Sequence, residues 1–229
     1  MFTTEGLIVG GMAHLAIDSI RMNQLRSENI IVPRGVFKII STDDAAFYLD
    51  DNVYVVRDIM TDYKFDDLRP TDNVLDIGAN IGGFSLNVYK KVNHVYAVEP
   101  LYVDILNKNI ELNNAKNIDV IPCALGYGEM NLIYRGRSNK VIGLPLGDII
   151  RLCGDHIDFL KSDCEGGEWS LTLPEIMNIR RIEAEIHNFD GNRDFRDFEK
   201  LLISSGFDYT RRDLSARTIL ISAKNRYIN

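Results

Sequence analysis

Short apolar runs alternate with amphipathic stretches along most of the chain after Asp72. Apolar runs of a few residues between turn residues predict buried strands, whereas apolar positions that recur every three or four residues predict helices. The pattern therefore predicts a series of strand and helix units that ends in a pair of strands. In chain order the predicted strands are NVLDI, HVYAVE, IDVIPCAL, IDFLKSD, RIEAEIH, FDYTRRD and ARTILISAK.

The helices complete the predicted architecture. They are predicted at about 82–91, 103–114, 168–178 and 193–205, with a short one in LPLGDIIRLC, and MNLIYRG is predicted to be an arm of an inserted hairpin. Alternating strands and helices indicate an α/β fold with a mostly parallel sheet that is covered on both faces. A terminal β-hairpin added to such a sheet is typical of the seven-stranded class I (Rossmann-like) methyltransferase fold.

The first part of the chain has a different pattern. Residues from about Leu7 to Glu28 predict an amphipathic helix, and the region from Ile30 to about Ile59 is rich in β-forming residues, with a turn at 50–52. We therefore divide the chain into residues 1–65, a helix and β extension related to substrate binding or dimerisation, and residues 66–229, the methyltransferase domain. The sequence leaves open whether the protein forms a homo-oligomer.

Composition limits the choice of partners and compartment. The 229 residues carry a net charge of −7, which disfavours a dedicated nucleic-acid binder. Three widely spaced cysteines without a C-x-x-C pair predict reduced thiols, so we expect a cytoplasmic protein without disulfides. The N-terminal residues predict neither a signal peptide nor a membrane span.

One glycine-rich stretch, NVLDIGANIGGFS from Asn73, joins the first predicted strand to the first predicted helix. Its glycines let the backbone approach a nucleotide-like ligand, and the helix start offers free N–H groups. Glu99 ends the next strand about 20 residues later, where a carboxylate can accept hydrogen bonds from both hydroxyls of a ribose. Asn80 stands where a dinucleotide motif requires a second glycine. The turn is therefore similar to the S-adenosylmethionine motif.

Acidic residues follow the fourth predicted strand. Asp163 stands at its carboxyl end, which is the edge where ligands bind in doubly wound sheets. Glu165 comes next, and Glu168 falls in the first turn of the predicted helix, where the helix dipole favours an acid. The dipole does not account for Asp163 and Glu165, because like charges near a sheet centre are costly unless they bind something.

The fifth predicted strand carries three titratable residues on one face. Glu183, Glu185 and His187 are spaced by two and therefore point the same way. A buried parallel strand is normally almost entirely apolar. We therefore predict that Glu185 and His187 form a wall of the site, and we give Glu183 less weight.

Five segments together resemble the FkbM family of S-adenosylmethionine-dependent methyltransferases, over about Val53 to Lys224. They are VLDIGANIGGFS, VYAVEP, NN…IDVIPCALG, DFLKSDCEGGEW and IEAEIHNF. Ser162 and Cys164 depart from the family, in which these positions are typically apolar. The resemblance implies a cofactor-binding group and an acceptor-facing group. The first is Asp76, Gly78, Asn80, Gly82 and Glu99, and the second is Asp163, Glu165 and His187. We add Ala79, Pro100, Ala124, Leu125 and Asp163 to the predicted cofactor-binding residues, and Glu185 to the predicted catalytic residues.

The resemblance also implies a reaction. Family members with known substrates mostly methylate hydroxyls, so we expect O-methylation of a carbohydrate or a similar small acceptor. His187 suits the general base because its unperturbed pKa lies near neutrality, and Asp163 or Glu165 could serve if burial raises its pKa. Asp163, Glu165 and His187 also supply donors for a divalent metal, which we do not favour.

Three other functions stay open. The first is RNA methylation, because VYAVEPLYVDILNKNIELNN resembles a segment of archaeal tRNA guanine methyltransferases, but DCEGGE replaces their Asn-Pro-Pro-Tyr-like motif. The acidic total charge also disfavours an RNA substrate. The second is a non-catalytic binding module, and the third is a nicotinamide dehydrogenase. We expect acceptor specificity to reside in the N-terminal segment and in the insertion Gly128–Gly143.

Overall fold

The computed structural model of the protein describes residues 38–49 and 62–228. Its strands, numbered in chain order, are β1 (Lys38–Ser41), β2 (Ala46–Leu49), β3 (Asn73–Ile77), β4 (His94–Val98), β5 (Ile118–Ile121), β6 (Ala124–Leu125), β7 (Gly128–Tyr134), β8 (Arg137–Leu144), β9 (Phe159–Ser162), β10 (Arg181–His187), β11 (Phe207–Ser215) and β12 (Thr218–Asn225). The α-helices are α1 (Gly83–Val88), α2 (Val103–Leu112), α3 (Leu146–Leu152), α4 (Leu173–Ile176) and α5 (Phe195–Ser204). Two short 3₁₀ helices cover Tyr89–Lys91 and Gly167–Ser170.

The central feature is a seven-stranded sheet with the order β11-β12-β10-β9-β3-β4-β5. β9 lies in the middle, and its neighbour β3 pairs in parallel with β4 on one side and with β9 on the other. β12 runs antiparallel between β10 and β11, so the two final strands form the predicted antiparallel pair. The predicted α/β fold class is confirmed, and the carboxyl ends of β3, β4, β9 and β10 meet at one edge of the sheet.

Apolar residues fill both faces of this sheet. On one face, Phe84 of α1 and Leu106 of α2 pack against Val74 and Phe159. On the other face, residues of α3, α4 and α5 pack against Leu75 of β3 and its neighbours. Alternate residues of β3 therefore enter different cores, as the two-residue period of a strand requires. In the described part of the chain, no helix combines the length and apolar character that a membrane span needs.

Two predicted elements differ from the structure. The third predicted strand is split at Pro122: β5 joins the large sheet, whereas β6 pairs with β8 of the β7–β8 hairpin, which is the predicted insertion. The prediction of one helix at 168–178 is wrong. A 3₁₀ helix ends at Ser170, and α4 begins separately at Leu173. Thr172 starts α4 through a capping box with Glu175, and Pro174 fits its first turn.

The segment before β3 packs onto the same domain. β1 and β2 form a hairpin, and the backbone N–H of Tyr48 donates to Asn109 of α2 at 2.6 Å. Residues 62–68 lie against the sheet, where the N–H of Lys64 donates to Glu183 at 3.0 Å. The predicted helix at 7–28 and the predicted turn at 50–52 lie outside the described residues, and the boundary at residue 65 stays a prediction.

The glycine turn after β3 passes very close to the end of β9. Gly78 has a positive φ of 76°, and a Cβ at this position would overlap the carbonyl oxygen of Asp163. The N–H of Asp163 donates to Ile77 at 3.0 Å, which holds the two strand ends together. Gly78 is therefore required both by its backbone conformation and by this close approach.

Gly78→Ala should destabilise the protein more than an alanine at another positive-φ glycine. We expect a loss of about 3 kcal/mol or more in the free energy of unfolding, from overpacking added to the left-handed backbone cost. Gly128→Ala is the matched control, since Gly128 has φ 68° and its Cβ would meet no atom of the described residues within 4 Å. That variant should lose only about 1 kcal/mol. Urea denaturation measures both, and equal losses would contradict the close approach.

Candidate active site

A cavity of about 960 Å³ opens at the carboxyl edge of the parallel strands. Ligand pockets usually enclose roughly 300–1,000 Å³, so this one has room for a cofactor together with a small acceptor. Its walls come from the turn after β3, the end of β4, the β7–β8 hairpin, the loop after β9 and the end of β10. The cavity therefore joins the predicted cofactor turn to the predicted acidic cluster.

The predicted cofactor residues fall into two groups. Those that line the cavity are Gly78, Asn80, Glu99, Pro100, Ala124, Leu125 and Asp163. The others, Asp76, Ala79 and Gly82, are buried behind the turn. Cys123, Ala124 and Leu125 contribute an apolar lining of the kind that an adenine ring requires, and Glu99 lines the same cavity. The chemistry of this half of the cavity fits S-adenosylmethionine.

Backbone groups fix the Glu99 carboxylate in place. One oxygen accepts a hydrogen bond from the N–H of Asn80 at 2.8 Å. The other accepts from Leu101 at 2.6 Å and from Tyr102 at 3.0 Å. Burial raises the pKa of Glu99, although these three donors oppose the rise. A carboxylate has about four acceptor positions, so one remains for a ribose hydroxyl.

Asp76 lies beneath the turn rather than on the cavity wall. The hydroxyl of Ser85 donates to its Oδ2 at 2.7 Å, and the ammonium of Lys161 lies 3.1 Å from its Oδ1. Both charged side chains of this pair are almost fully buried. Lys161 also donates to the carbonyl oxygen of Gly78 at 3.0 Å, so the pair supports the glycine turn from below.

Lys161 is a residue of the site that the sequence reasoning missed. Burial opposes its charge, but the carboxylates of Asp76 and Asp163 outweigh burial and raise the pKa of Lys161. The signal was present, because a lysine inside the apolar run IDFLKSD is unusual for a central parallel strand. Tyr63 and Tyr134 were missed as well. Both line the cavity, and neither belongs to a pattern that sequence alone connects to it.

The structure brings the four predicted catalytic residues together. His187 Nε2 lies 3.1 Å from Glu185 Oε1 and 3.6 Å from Glu165 Oε2. Asp163 and Glu185 are bridged by the Tyr63 hydroxyl, which donates to Asp163 at 3.0 Å and lies 3.5 Å from Glu185. Asp163, Glu165 and Glu185 line the cavity, whereas His187 is buried against them.

The pKa of His187 differs from the unperturbed value near neutrality that the prediction from sequence assumed. Burial favours its neutral form, but the carboxylates of Glu168, Glu185 and Glu165 outweigh burial and raise the pKa of His187 to about 10. The imidazole is therefore protonated at neutral pH and cannot accept a proton there. The argument for His187 as the base relied on an unperturbed pKa, and its carboxylate neighbours remove that argument.

Asp163 has the protonation behaviour that a base needs. Burial raises its pKa to about 6, Lys161 opposes the rise, and Glu185 and Glu168 add to it. Such a carboxylate is mostly ionised at neutral pH and is a stronger proton acceptor than an ordinary aspartate. Asp163 therefore replaces His187 as the residue best suited to take a proton.

Glu168 and Glu183 have mainly structural contacts. Glu168 is fully buried, and its carboxylate accepts from the N–H groups of Cys164 at 2.6 Å and Gly166 at 2.9 Å, which fixes the loop after β9. Glu183 pairs with Arg181 at 2.5 Å. The lower weight given to Glu183 agrees with its position, because it does not line the cavity.

A metal-binding set can be drawn from the same cluster. One donor atom each from Asp163, Glu185 and His187 lies within 4.8 Å of the other two. These groups also satisfy one another, through the contact between His187 and Glu185 and through Tyr63. His187 Nδ1 has no hydrogen-bond partner among the described residues and lies 3.9 Å from Glu168 Oε1, and we assign no metal to the set.

In comparison with known proteins, parts of the chain are similar to methyltransferases of several kinds. No family model matches it. Over 78 residues it is 35% identical to an uncharacterized RNA methyltransferase of Streptococcus mutans, a match of 33% of this chain and 17% of that protein. Over 75 residues it is 37% identical to a probable cobalt-precorrin-6B C(15)-methyltransferase (decarboxylating) of Methanococcus maripaludis, covering 32% and 40%. The chain thus spans less than half the length of these relatives.

Solved structures share the fold over more of the chain. TYW2 of M. jannaschii, in complex with AdoMet, matches with a TM-score of 0.52 at 16% identity, over 86% of this chain and 89% of that one. Methyltransferase FkbM from Methylobacillus flagellatus matches with a TM-score of 0.51 at 19% identity, over 76% and 55%. The chain therefore has the class I, Rossmann-like methyltransferase fold that the sequence predicts.

Lys161→Met should strongly destabilise the protein, because it leaves the buried Asp76 carboxylate without its cation. Removing one partner of a buried pair costs about 3–5 kcal/mol. Lys140→Met is the matched control: it breaks an exposed pair with Glu129 and should cost less than about 1 kcal/mol. The double variant Asp76→Asn/Lys161→Met should recover much of the loss in urea denaturation. A similar loss of stability in Lys161→Met and in the control Lys140→Met would show that the buried pair does not stabilise the turn.

Proposed function

We propose that the protein is an S-adenosylmethionine-dependent methyltransferase that methylates a hydroxyl of a carbohydrate or a similar small acceptor. The observation that carries this proposal is a single cavity with two chemically different halves. Glu99 and the glycine turn form the half that suits the cofactor, and Asp163, Glu165 and Glu185 form the half that suits a polar acceptor. The sequence similarity to methyltransferases supports the reaction class.

The FkbM family is our proposal for the finer relationship. It rests on the segments DFLKSDCEGGEW and IEAEIHNF, which supply the acidic half of the cavity. Ser162 and Cys164, the two departures from the family pattern, flank Asp163 in the sequence. Ser162 is fully buried, so its hydroxyl does not reach an acceptor in the cavity.

The proposed reaction is an in-line transfer. S-adenosylmethionine, when bound, supplies a methyl group that is already activated by the sulfonium. The remaining work of the protein is to orient the acceptor and to remove its proton. The bond from sulfur to the methyl carbon breaks as the acceptor oxygen forms its bond to that carbon, and the hydroxyl proton passes to the carboxylate of Asp163.

The neighbours of Asp163 support its role as the base. Protonated His187 neutralises part of the charge of Glu165 and Glu185, which reduces the electrostatic repulsion among the carboxylates of the acidic half. Glu185 is half-buried and also faces the cavity, where its free acceptor positions can bind a second hydroxyl of a polyol. A carbohydrate presents such neighbouring hydroxyls.

An RNA substrate is the second candidate, because one relative is named as an RNA methyltransferase. The acidic lining around Asp163 opposes the approach of a phosphate backbone, which normally binds to basic residues. Transfer of labelled methyl from the cofactor to bulk tRNA, compared with transfer to a panel of sugars, separates the two candidates. Transfer to tRNA alone would replace our proposal.

Binding of the cofactor is the first testable step. Isothermal titration should show that the protein binds S-adenosylmethionine and does not bind NAD. Glu99→Ala should weaken binding about 10- to 100-fold, because the loss of a hydrogen-bonded carboxylate costs about 1.5–3 kcal/mol. Glu111→Ala, which removes an exposed carboxylate of α2, is the control and should bind normally. Failure of the wild-type protein to bind the cofactor would favour the non-catalytic module.

The pH profile tests the identity of the base. An acceptor found by a thermal-shift screen of sugars and small alcohols provides the assay. Because only ionised Asp163 accepts a proton, kcat/KM should rise about tenfold per pH unit below pH 6 and level off above about pH 7. Asp163→Asn should lower kcat about 10²- to 10⁴-fold. A rate that continues to rise towards pH 10 would identify His187 as the base, and loss of activity with EDTA would identify a metal.

A further inference from the structure

Tyr63 is the one aromatic hydroxyl that the segment before β3 places among the site acids in the described part of the chain. Its ring is buried and meets the ring of Phe84 edge to face, with 6.4 Å between the centroids. Its hydroxyl donates to Asp163 Oδ2 at 3.0 Å and lies 3.5 Å from Glu185 Oε2. The phenol therefore stands between two carboxylates on the wall of the cavity.

The segment that carries Tyr63 is fixed on the sheet at several points. Asp62 pairs with Arg212 of β11, and the N–H of Lys64 donates to Glu183 of β10 at 3.0 Å. Asp67 lies 3.4 Å from Arg180 and 3.3 Å from Arg181. These contacts on both sides of Tyr63 set the position of its hydroxyl.

We propose that Tyr63 is a positioning residue, whose hydroxyl holds the Asp163 carboxylate ionised and turned towards the acceptor. This inference rests on the proposed function, in which Asp163 is the base. It gives the N-terminal segment a part in the reaction, through one hydrogen bond that reaches 100 positions along the chain. Tyr63 itself exchanges no proton with the acceptor.

The electrostatics around Asp163 explain why a donor is needed there. The charged and titratable groups that act on it are Lys161 of β9, Glu185 and His187 of β10, Cys164, Glu168 of the 3₁₀ helix after β9, Tyr134 of β7, and Tyr63 itself. Two of these are carboxylates that favour the protonated form of Asp163. A hydrogen bond to the charged form favours that form, so the Tyr63 hydroxyl opposes protonation.

Tyr63 is also suited to remain a donor. Burial and the carboxylates of Asp163 and Glu185 raise the pKa of Tyr63 well above its ordinary value. The phenol therefore keeps its proton over the whole pH range of an assay. One hydroxyl proton cannot serve two acceptors equally, and the shorter distance shows that Asp163 is the preferred one.

The test is a titration of the Asp163 carboxyl by NMR, in protein with ¹³C-labelled aspartate and bound S-adenosylhomocysteine. Asp163→Asn identifies the signal. In Tyr63→Phe the titration midpoint of Asp163 should rise by about one pH unit, which is the size expected for one lost hydrogen bond to a carboxylate. Binding of S-adenosylhomocysteine should change less than twofold, because Tyr63 lies on the acceptor side.

Tyr89→Phe is the matched control, because the Tyr89 hydroxyl donates to Asn113 at 3.2 Å, away from the cavity. It should leave the Asp163 midpoint unchanged. A folded Tyr63→Phe protein with an unchanged midpoint would overturn the inference. If that variant does not fold, the wild-type protein with ¹³C-labelled tyrosine provides the test. The chemical shift of Tyr63 should then change with pH at the titration midpoint of Asp163, and a Tyr63 signal that does not change there would overturn the inference. If the wild-type protein does not bind S-adenosylhomocysteine, that result would instead reject the proposed function.

Discussion

A buried ion pair at the centre of the sheet connects the two halves of the site. Lys161 of β9 lies 3.1 Å from Asp76 of β3 and donates to the carbonyl oxygen of Gly78. It also interacts electrostatically with the Asp163 carboxylate. The pair therefore fixes the glycine turn on one side, and on the other side Lys161 opposes the rise in the pKa of Asp163. Replacing a buried pair by apolar residues is often neutral or stabilising. Its value here is in position, because an apolar pair could not hold a carbonyl of the turn.

The acidic half of the cavity depends on an unequal distribution of charge. Glu165 and Glu185 lie 3.6 Å and 3.1 Å from one imidazolium, His187, and one carboxylate oxygen of Asp163 lies within 4.8 Å of donor atoms of Glu185 and His187. The carboxylates raise the pKa of His187 to about 10, whereas burial is the main cause that raises the pKa of Asp163 to about 6, with Glu185 and Glu168 adding to the rise. Under the proposed function, His187 is therefore not the base, and the buried Asp163 takes that role. The surplus of negative charge also suits a cationic donor such as a sulfonium.

The sequence was informative where the physics is local. Strand periods predicted the parallel sheet, and the two-residue spacing placed Glu185 and His187 on one face, opposite the apolar Ile182, Ala184 and Ile186. It failed at the helix after β9, where the cap at Thr172 started a new element. It also could not give the protonation of His187 or the role of Tyr63, because both depend on groups that only the fold brings together.

The acceptor has to be argued from this chain's own residues. Tyr63 and Glu185 lie 122 positions apart, whereas the matched stretches in the two curated relatives are 78 and 75 residues long. Neither match can include both sides of the acceptor half. The two tyrosines beside the acids come from outside the strand and helix core: Tyr63 from the segment before β3, and Tyr134 from the β7–β8 hairpin, where burial and Glu165 raise its pKa. Under the proposed function, we therefore expect the strand and helix core to supply the reaction and these two additions to select its acceptor.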